Sequence, residues 1–396
     1  MNLAAMADRV AAIERSTVTL NAARCLHARG TFSACQVCVE ICPTAAIAAG
    51  RPPSLDANTC GSCLACLPAC PTGAFTADDP VPALLNCAAR VDAPAMEIIC
   101  QRHPRAEVGL AADNTAIRVR GCLAGLGVGA FVALAALGVR QVLVRADACG
   151  PCDWASLLPR LEQNVEQARR LLEPWDRAAA IVMVTTSPNQ PATVRPVWEA
   201  DNPPLSRRDL FRLASRRGQV VAARAMSDET PSAARAPSRE RQRLWKALEH
   251  LPRDQRQDPG HLPAGPGYAA VSASEACSAC GACARICPTG ALQLHIRTEA
   301  SPNFRLTFLA WACIECDACR QACLPGALAL DSAPAFEVVF GQREPAVLRE
   351  GELVRCKRCQ TWMAARPGAS LCPTCDFRRQ NPFESRPVPA AKPVRL

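Results

Sequence analysis

Cys60-Gly-Ser-Cys63-Leu-Ala-Cys66-Leu-Pro-Ala-Cys70-Pro71 places three cysteines two residues apart, a fourth three residues on, and a proline directly behind it. Cys277, Cys280, Cys283, Cys287 and Pro288 repeat the spacing unchanged. Cys313, Cys316, Cys319 and Cys323 repeat it with Leu324 inserted before Pro325, while Cys35, Cys38, Cys42 and Pro43 repeat its second half behind a distant Cys25. Thiolates are soft, anionic donors, and two-residue spacers let one tight loop present three sulfurs to a single metal centre. Disulfides would need an oxidising compartment and favour scattered spacings, whereas these sixteen cysteines keep one register.

A C-x2-C-x2-C-x3-C-P run holds iron–sulfur clusters, the fourth cysteine of each run ligating the cluster of its partner run. The four runs resemble those of bacterial two-cluster (2 × 4Fe-4S) ferredoxins. The tails Pro71-Thr-Gly-Ala74, Pro288-Thr-Gly-Ala291, Pro43-Thr-Ala-Ala46 and Pro325-Gly-Ala327 extend the resemblance. In that family the proline turns the chain and small residues let backbone amides approach the sulfides. The resemblance implies four 4Fe-4S clusters. Cys25, Cys35, Cys38 and Cys70 would hold the first, and Cys42, Cys60, Cys63 and Cys66 the second. Cys277, Cys280, Cys283 and Cys323 would hold the third, and Cys287, Cys313, Cys316 and Cys319 the fourth. One departure stands out: nine residues separate Cys25 from Cys35. That longer loop shifts the potential of its cluster, or leaves a 3Fe-4S form where Cys25 does not reach.

These runs delimit two ferredoxin modules, residues 25–80 and 273–332. Between them, 81–186 changes character. Short β-rich runs at Glu97–Cys100, Ala116–Val119, Gln141–Val144 and Ala180–Thr185 alternate with helical patterns at Val128–Leu137 and Trp154–Leu172. Such alternation predicts a small α/β domain with a parallel sheet. Sites in open parallel sheets lie beyond the carboxyl ends of the strands, so Cys100, Cys122, Cys149 and Cys152 are expected to converge, with Cys87 as a fifth candidate.

The stretches Arg120-Gly-Cys122-Leu-Ala-Gly125, Ala135 to Val144 and Ala148-Cys149-Gly-Pro-Cys152-Asp-Trp154 resemble the small iron–sulfur (delta) subunit of methyl-viologen-reducing hydrogenases. The resemblance implies a 2Fe-2S cluster and a link between a hydrogenase and another redox complex, although the family spaces its last two cysteines more widely. Cys149-Gly-Pro-Cys152 also has the form of a redox-active dithiol, and that alternative stays open. Gly121–Val139 carries no charge and is long enough to suggest a membrane span, but its glycines read as a strand-to-helix turn, and no transmembrane segment is expected. The same Gly125, Gly127 and Gly129 make a weak phosphate motif, for which packing is the better account.

Residues 187–272 are Pro- and Arg-rich and read as a linker, with an exposed helix expected over Glu240–Leu251. Leu205-Ser-Arg-Arg-Asp-Leu-Phe211 imitates a twin-arginine export motif, but it is internal and followed by further arginines. The N-terminal stretch carries charges within any apolar run, and a short helix is expected over Ala5–Glu14, with no secretory signal. Cys356, Cys359, Cys372 and Cys375, over 352–380, form two C-x-x-C knuckles suited to one zinc in a zinc ribbon, with a rubredoxin-like iron as the alternative, against which Gln360 and Asp376 stand where that family has glycine.

The expected fold is thus α+β: two ferredoxin-like modules flanking a parallel-sheet domain, with a C-terminal zinc ribbon. The formal charge of +9 comes from 45 Lys and Arg against 36 Asp and Glu, but the arginines gather in the linker without aromatic partners, so no nucleic acid is expected. Five histidines, scattered singly along the sequence, and no Ser/His/Asp set argue against catalysis by this chain alone. The expectation is a cytoplasmic electron-transfer component of an oxidoreductase system, exchanging electrons with hydrogenase- or dehydrogenase-like complexes. The alternative is an accessory or maturation factor that docks on a metalloenzyme.

Overall fold

The computed structural model describes residues 18–29, 33–186, 193–204, 217–227, 235–262 and 267–383. The expected helix at Ala5–Glu14 and the arginine motif at Leu205–Phe211 lie outside them. The chain divides into two compact units: residues up to 22 with 36–231 and 238–258, and residues 23–35 with 232–237 and 259 onward.

In the first unit, β1 (Thr19–Leu20) pairs antiparallel with β4 (Phe75–Thr76), and β2 (Ile47–Ala48) with β3 (Ser54–Leu55). One-turn helices α1 (Val37–Glu40) and α2 (Cys66–Ala69) separate these strands. The chain then enters α3 (Pro80–Ala88), which starts where Asp79 accepts a hydrogen bond from the Val81 amide and Pro80 supplies the fixed φ of a first helical residue.

A five-stranded sheet follows, built from β5 (Met96–Cys100), β7 (Thr115–Val119), β8 (Val142–Arg145), β9 (Ile181–Val184) and β11 (Val197–Glu199). Its order is β11-β7-β5-β8-β9 and every pair is parallel. Between the sheet strands, β6 (Val108–Gly109) and β10 (Thr193–Val194) form a small antiparallel ribbon. The four expected strands are present within a few residues of their predicted limits.

Helix α4 (Val128–Ala136) buries nearly every side chain, including Phe131, Val132 and Leu134, each contributing about 1.5–3 kcal/mol. It has nine residues, roughly 14 Å of helix, against about 30 Å for a bilayer core. No helix among the described residues is long and apolar enough to cross a membrane. Helix α5 (Leu158–Leu172) is amphipathic: Leu161, Val165, Ala168 and Leu172 recur on its buried face, and Glu166 pairs with Arg170 on the exposed one.

Among the described residues, the stretch read as a linker is largely folded. Besides β11 it contributes α6 (Arg217–Ser227) and α7 (Arg239–His250), the latter capped by Ser238 and packed on α4 through Leu244, Ala247 and Leu248. A Cβ on Gly129 would meet the Leu244 amide at 2.8 Å and the Glu240 carbonyl at 2.9 Å, so glycine lets two helix backbones touch. Packing therefore accounts for this part of the glycine run.

The second unit repeats the element order of residues 19–76: β12 (Ala270–Ala273), α8 (Ala282–Ile286), β13 (Leu292–Arg297), β14 (Asn303–Phe308), α9 (Ala318–Gln321) and β15 (Leu328–Asp331). Again the outer strands pair with each other and the inner two form an antiparallel hairpin. A long strand, β16 (Ala346–Arg355), adds to β14, and β17 (Trp362–Ala364) adds to β16. Helix α10 (Pro373–Gln380) follows. Val271, Leu292, Leu306, Phe308 and Leu328 form the core, in contact with the buried Cys287 and Cys319.

Candidate metal centres

The repeated cysteine loops share a backbone that their residue types do not advertise. Ser62 and Leu64 flank Cys63 with φ of 55° and 65°, Ala279 and Gly281 flank Cys280 with 55° and 70°, and Glu315 and Asp317 flank Cys316 with 55° and 58°. A left-handed conformation costs a non-glycine residue about 1–2 kcal/mol. Its recurrence on both sides of each middle cysteine has a chemical use, because alternating right- and left-handed residues turn successive N–H groups inward to form an anion cradle. The third residue after the last cysteine of each run is also left-handed: Ala45, Gly73, Gly290 and Gly326. The lead copy departs from this pattern, since Gln36, directly after its middle cysteine Cys35, has φ of −129°.

Within the first unit, burial pushes the Cys63 thiol up to about 11, and repulsion from Cys42 and Cys60 adds to the shift. Cys66 is raised further, again by burial and then by Cys63, Cys60 and Cys42. Cys42, Cys60, Cys63 and Cys66 thus lie near enough to one another for their charges to interact. Cys38 and Cys70 also lie in this unit, and Cys25 and Cys35 in the other.

In the second unit, Cys277, Cys280, Cys283 and Cys323 line one cavity together with Ser278, Leu294 and Ala327. Burial raises Cys283 to about 12, with further repulsion from the other three thiols. Cys316 is raised to about 12 by burial, with added repulsion from Cys313 and Cys287, and Cys319 rises well above the usual thiol range for the same reasons. Cys287, Cys313, Cys316 and Cys319 thus lie near enough to one another for their charges to interact.

The central sheet also brings its four cysteines together. Cys100 ends β5, Cys122 follows β7, and Cys149 and Cys152 follow β8. All four line a cavity of about 380 Å³ closed by Leu123, Trp154, Leu157 and Leu161, with Arg102 stacked over Trp154 at 4.4 Å. Burial lifts Cys122 to about 12, with Cys100 and Cys149 adding repulsion, and Cys149 to about 11, with Cys100 and Cys152 adding theirs. Cys87 does not join them. It lies on the buried face of α3 beside Leu84 and Ala88 and lines no part of the cavity.

Behind the cavity stands a buried ionic network that the sequence did not disclose. Glu97, wholly inside β5, accepts from Arg145 at 2.6 Å, Arg195 at 2.7 Å, the Leu110 amide at 2.9 Å and Asn114 at 3.1 Å. Burial alone would raise its carboxyl, but Arg195 and the amide donors hold it below the usual glutamate value. Arg145 also binds Asp147 twice, at 2.7 and 2.9 Å.

At the C-terminus, the ligand atoms of Cys356, Cys359, Cys372 and Cys375 lie within 4.8 Å of one another, with Cys359 and Cys372 sulfurs 3.7 Å apart. A tetrahedral ion with about 2.3 Å bonds to sulfur separates its ligands by about 3.8 Å, so this set fits zinc. Amide donors from Cys359 and Cys372 lower the Cys356 thiol to about 6. The first pair stands in the turn between β16 and β17. The second pair instead opens α10, where Pro373 occupies the first turn.

The chemistry of the donor sets fits iron–sulfur clusters. Buried thiols with raised pKa values favour protonation, and a cationic metal core reverses that by taking the thiolate outright. Donors to sulfur are also in place: Ala74 and Ala327 amides lie 3.2 Å from Cys70 and Cys323. Thr44, Thr72 and Thr289 place hydroxyls 3.7, 3.5 and 3.6 Å from Cys42, Cys70 and Cys287. The repeated Cys-Pro-Thr is the sequence signal for these threonines, hidden behind the turn that its proline makes.

Residues 276–327 match the family described as a 4Fe-4S dicluster domain. No curated protein and no solved structure matches the chain. The family match covers the segment in which two groups of four thiols assemble, and the chain accordingly carries a 4Fe-4S dicluster domain at 276–327, which binds iron–sulfur clusters.

Proposed function

We propose that this chain is a multi-cluster electron-transfer protein that relays single electrons between redox complexes of the hydrogenase or dehydrogenase type. The observation that carries the reading is the recurrence, around Cys63, Cys280 and Cys316, of one left-handed turn within gathered thiols, one copy outside the matched dicluster domain. On this reading each unit contributes a ferredoxin-like module. Cys42, Cys60, Cys63 and Cys66 hold one 4Fe-4S cluster, and the two groups of the second unit hold two more. Register alone assigns Cys25, Cys35, Cys38 and Cys70 to a fourth. The central cysteines hold a 2Fe-2S cluster, consistent with the resemblance to the hydrogenase delta subunit, and the C-terminal four hold zinc. The clusters supply reversible one-electron chemistry. The chain sets their potentials through thiolate ligation, amide and hydroxyl donors, and burial.

Anaerobic purification with iron, sulfide and zinc counts, followed by EPR of the reduced protein, tests the reading. The ligand sets predict about sixteen irons in cubane clusters, about two more in the central site and about one zinc. Colourless protein without acid-labile sulfide would refute it. Binding only to a metal-free enzyme, with no reversible reduction, would point instead to a maturation factor.

A further inference from the structure

We propose that the peptide junction between Cys63 and Cys122 couples the first module electronically to the central thiolate site, and that Gly121 and Gly125 are positioning residues that keep it closed. The inference rests on both cysteine groups being iron–sulfur ligands. It concerns a direct connection that neither the cysteine spacing nor the family match assigns.

The Cys122 amide donates to the Cys63 carbonyl at 3.1 Å, so one hydrogen bond joins a ligand of each group. Glycines make this approach possible. Gly121 has φ of +73°, and a Cβ there would lie 3.1 Å from both the Cys63 carbonyl oxygen and the Leu64 side chain. A Cβ on Gly125 would lie 3.1 Å from the same oxygen and from Leu64 Cβ. Leu64, 1% exposed, fills the space beneath them and fixes the loop. A second contact runs alongside: Trp154 lines the central cavity, and a Cβ on Gly61, next to Cys60, would meet its ring at 3.0 Å.

In the second unit, a cysteine loop is tied to a different partner: the carbonyl of Ser278, between Cys277 and Cys280, accepts from the Ala364 amide of β17. One electron crossing the junction between Cys63 and Cys122 oxidises one centre by one charge and reduces the other by one. No bond, proton or leaving group moves, and a low-potential one-electron reductant such as dithionite supplies the electron in the assay.

The test uses the full chain, purified anaerobically, with iron and sulfide counts and EPR. In the native protein the signal of the reduced central centre should be split or relax faster when the neighbouring cluster is also reduced. In Gly125→Val both centres should remain, the interaction should weaken, and electron arrival at the central centre in freeze-quench experiments should slow at least tenfold. Gly121→Ala, a smaller intrusion, serves if the valine variant does not fold. Native protein that carries both centres without interaction overturns this proposal alone, as does a folded variant with unchanged interaction and rate. Native protein with cubane clusters but no iron at Cys100, Cys122, Cys149 and Cys152 overturns the functional reading of the central site, and the proposal with it.

Discussion

Single residues decide how the buried charges and the cluster sulfurs are held. Among the described residues, Glu97 is the only carboxylate that reaches Arg195, and Arg145 shares it with Asp147. Removing one partner of a buried pair typically costs about 3–5 kcal/mol, because the other charge stays buried. Glu97→Gln should lose about that much unfolding free energy in urea, read by circular dichroism, and a loss below about 1 kcal/mol would make the network dispensable. The pH sign follows from the direction of the shift. Folding depresses the Glu97 carboxyl below its ordinary 4.5, so its contribution is complete above that value and fades as pH falls beneath it. The glutamine variant should lose that part of the acid dependence. Thr289 acts on a smaller scale. Its hydroxyl, 3.6 Å from the Cys287 sulfur, favours the more negative, reduced state of a cluster bound there. A hydrogen bond of about 1.4 kcal/mol is tenfold in an equilibrium, or roughly 59 mV for one electron. Thr289→Val should lower one cluster potential by about that much, leave iron content unchanged, and shift none of the others in a redox titration.

At the scale of elements, the pairing of α4 with α7 shows how a basic, proline-rich segment becomes part of a core. A Cβ added at Gly129 would sit 2.8 Å from the Leu244 amide, and this obstacle is backbone, which cannot rotate away. Gly129→Ala should destabilise the first unit by about 1–3 kcal/mol, as overpacking does, and a thermal midpoint equal to that of the native protein would contradict the packing. The strands of the parallel sheet were legible because β-branched runs such as Glu97–Cys100 and Gln141–Val144 sit at regular intervals between helical patterns. Their cysteines were legible as a site because topology puts strand ends together. Helix α7 was legible as a helix over Glu240–Leu251, but it was read as exposed, because the apolar face that the fold buries consists of only Leu244, Ala247 and Leu248 amid six charged residues. Strand β11 has three residues beside a proline, too few to display a period. The left-handed turns at Ser62, Leu64 and Glu315 were equally hidden. No glycine marks them, and the turn follows from what the three cysteines must face.

Across the second unit, the zinc-type site and one predicted cluster loop are joined by the same strands, so loss of one metal should be felt at the other. Strand β17 donates from Ala364 to the Ser278 carbonyl, and Arg366 Nη1 donates to the Ala276 carbonyl at 3.1 Å. Cys277 packs against the cluster of Ala279, Phe304, Leu353 and Ala364, with Trp362 beside it. Cys356 and Cys359 anchor the turn that leads from β16 into β17, and Cys372 and Cys375 tie α10 to that turn. Burial holds the Cys375 thiol at about 12, so without a metal it is protonated at neutral pH and the four sulfurs lose their common partner. Cys375→Ser, or zinc removal by a chelator, should free the hairpin and loosen the Cys277–Cys283 loop. The expected result is a shifted and broadened EPR signal for the cluster held by Cys277, Cys280, Cys283 and Cys323, and faster bleaching of that cluster in air. The cluster at Cys42, Cys60, Cys63 and Cys66, in the other unit, should keep its signal. An unchanged spectrum after complete zinc loss would mean that β16 and its pairing to β14 hold the loop without help from the metal.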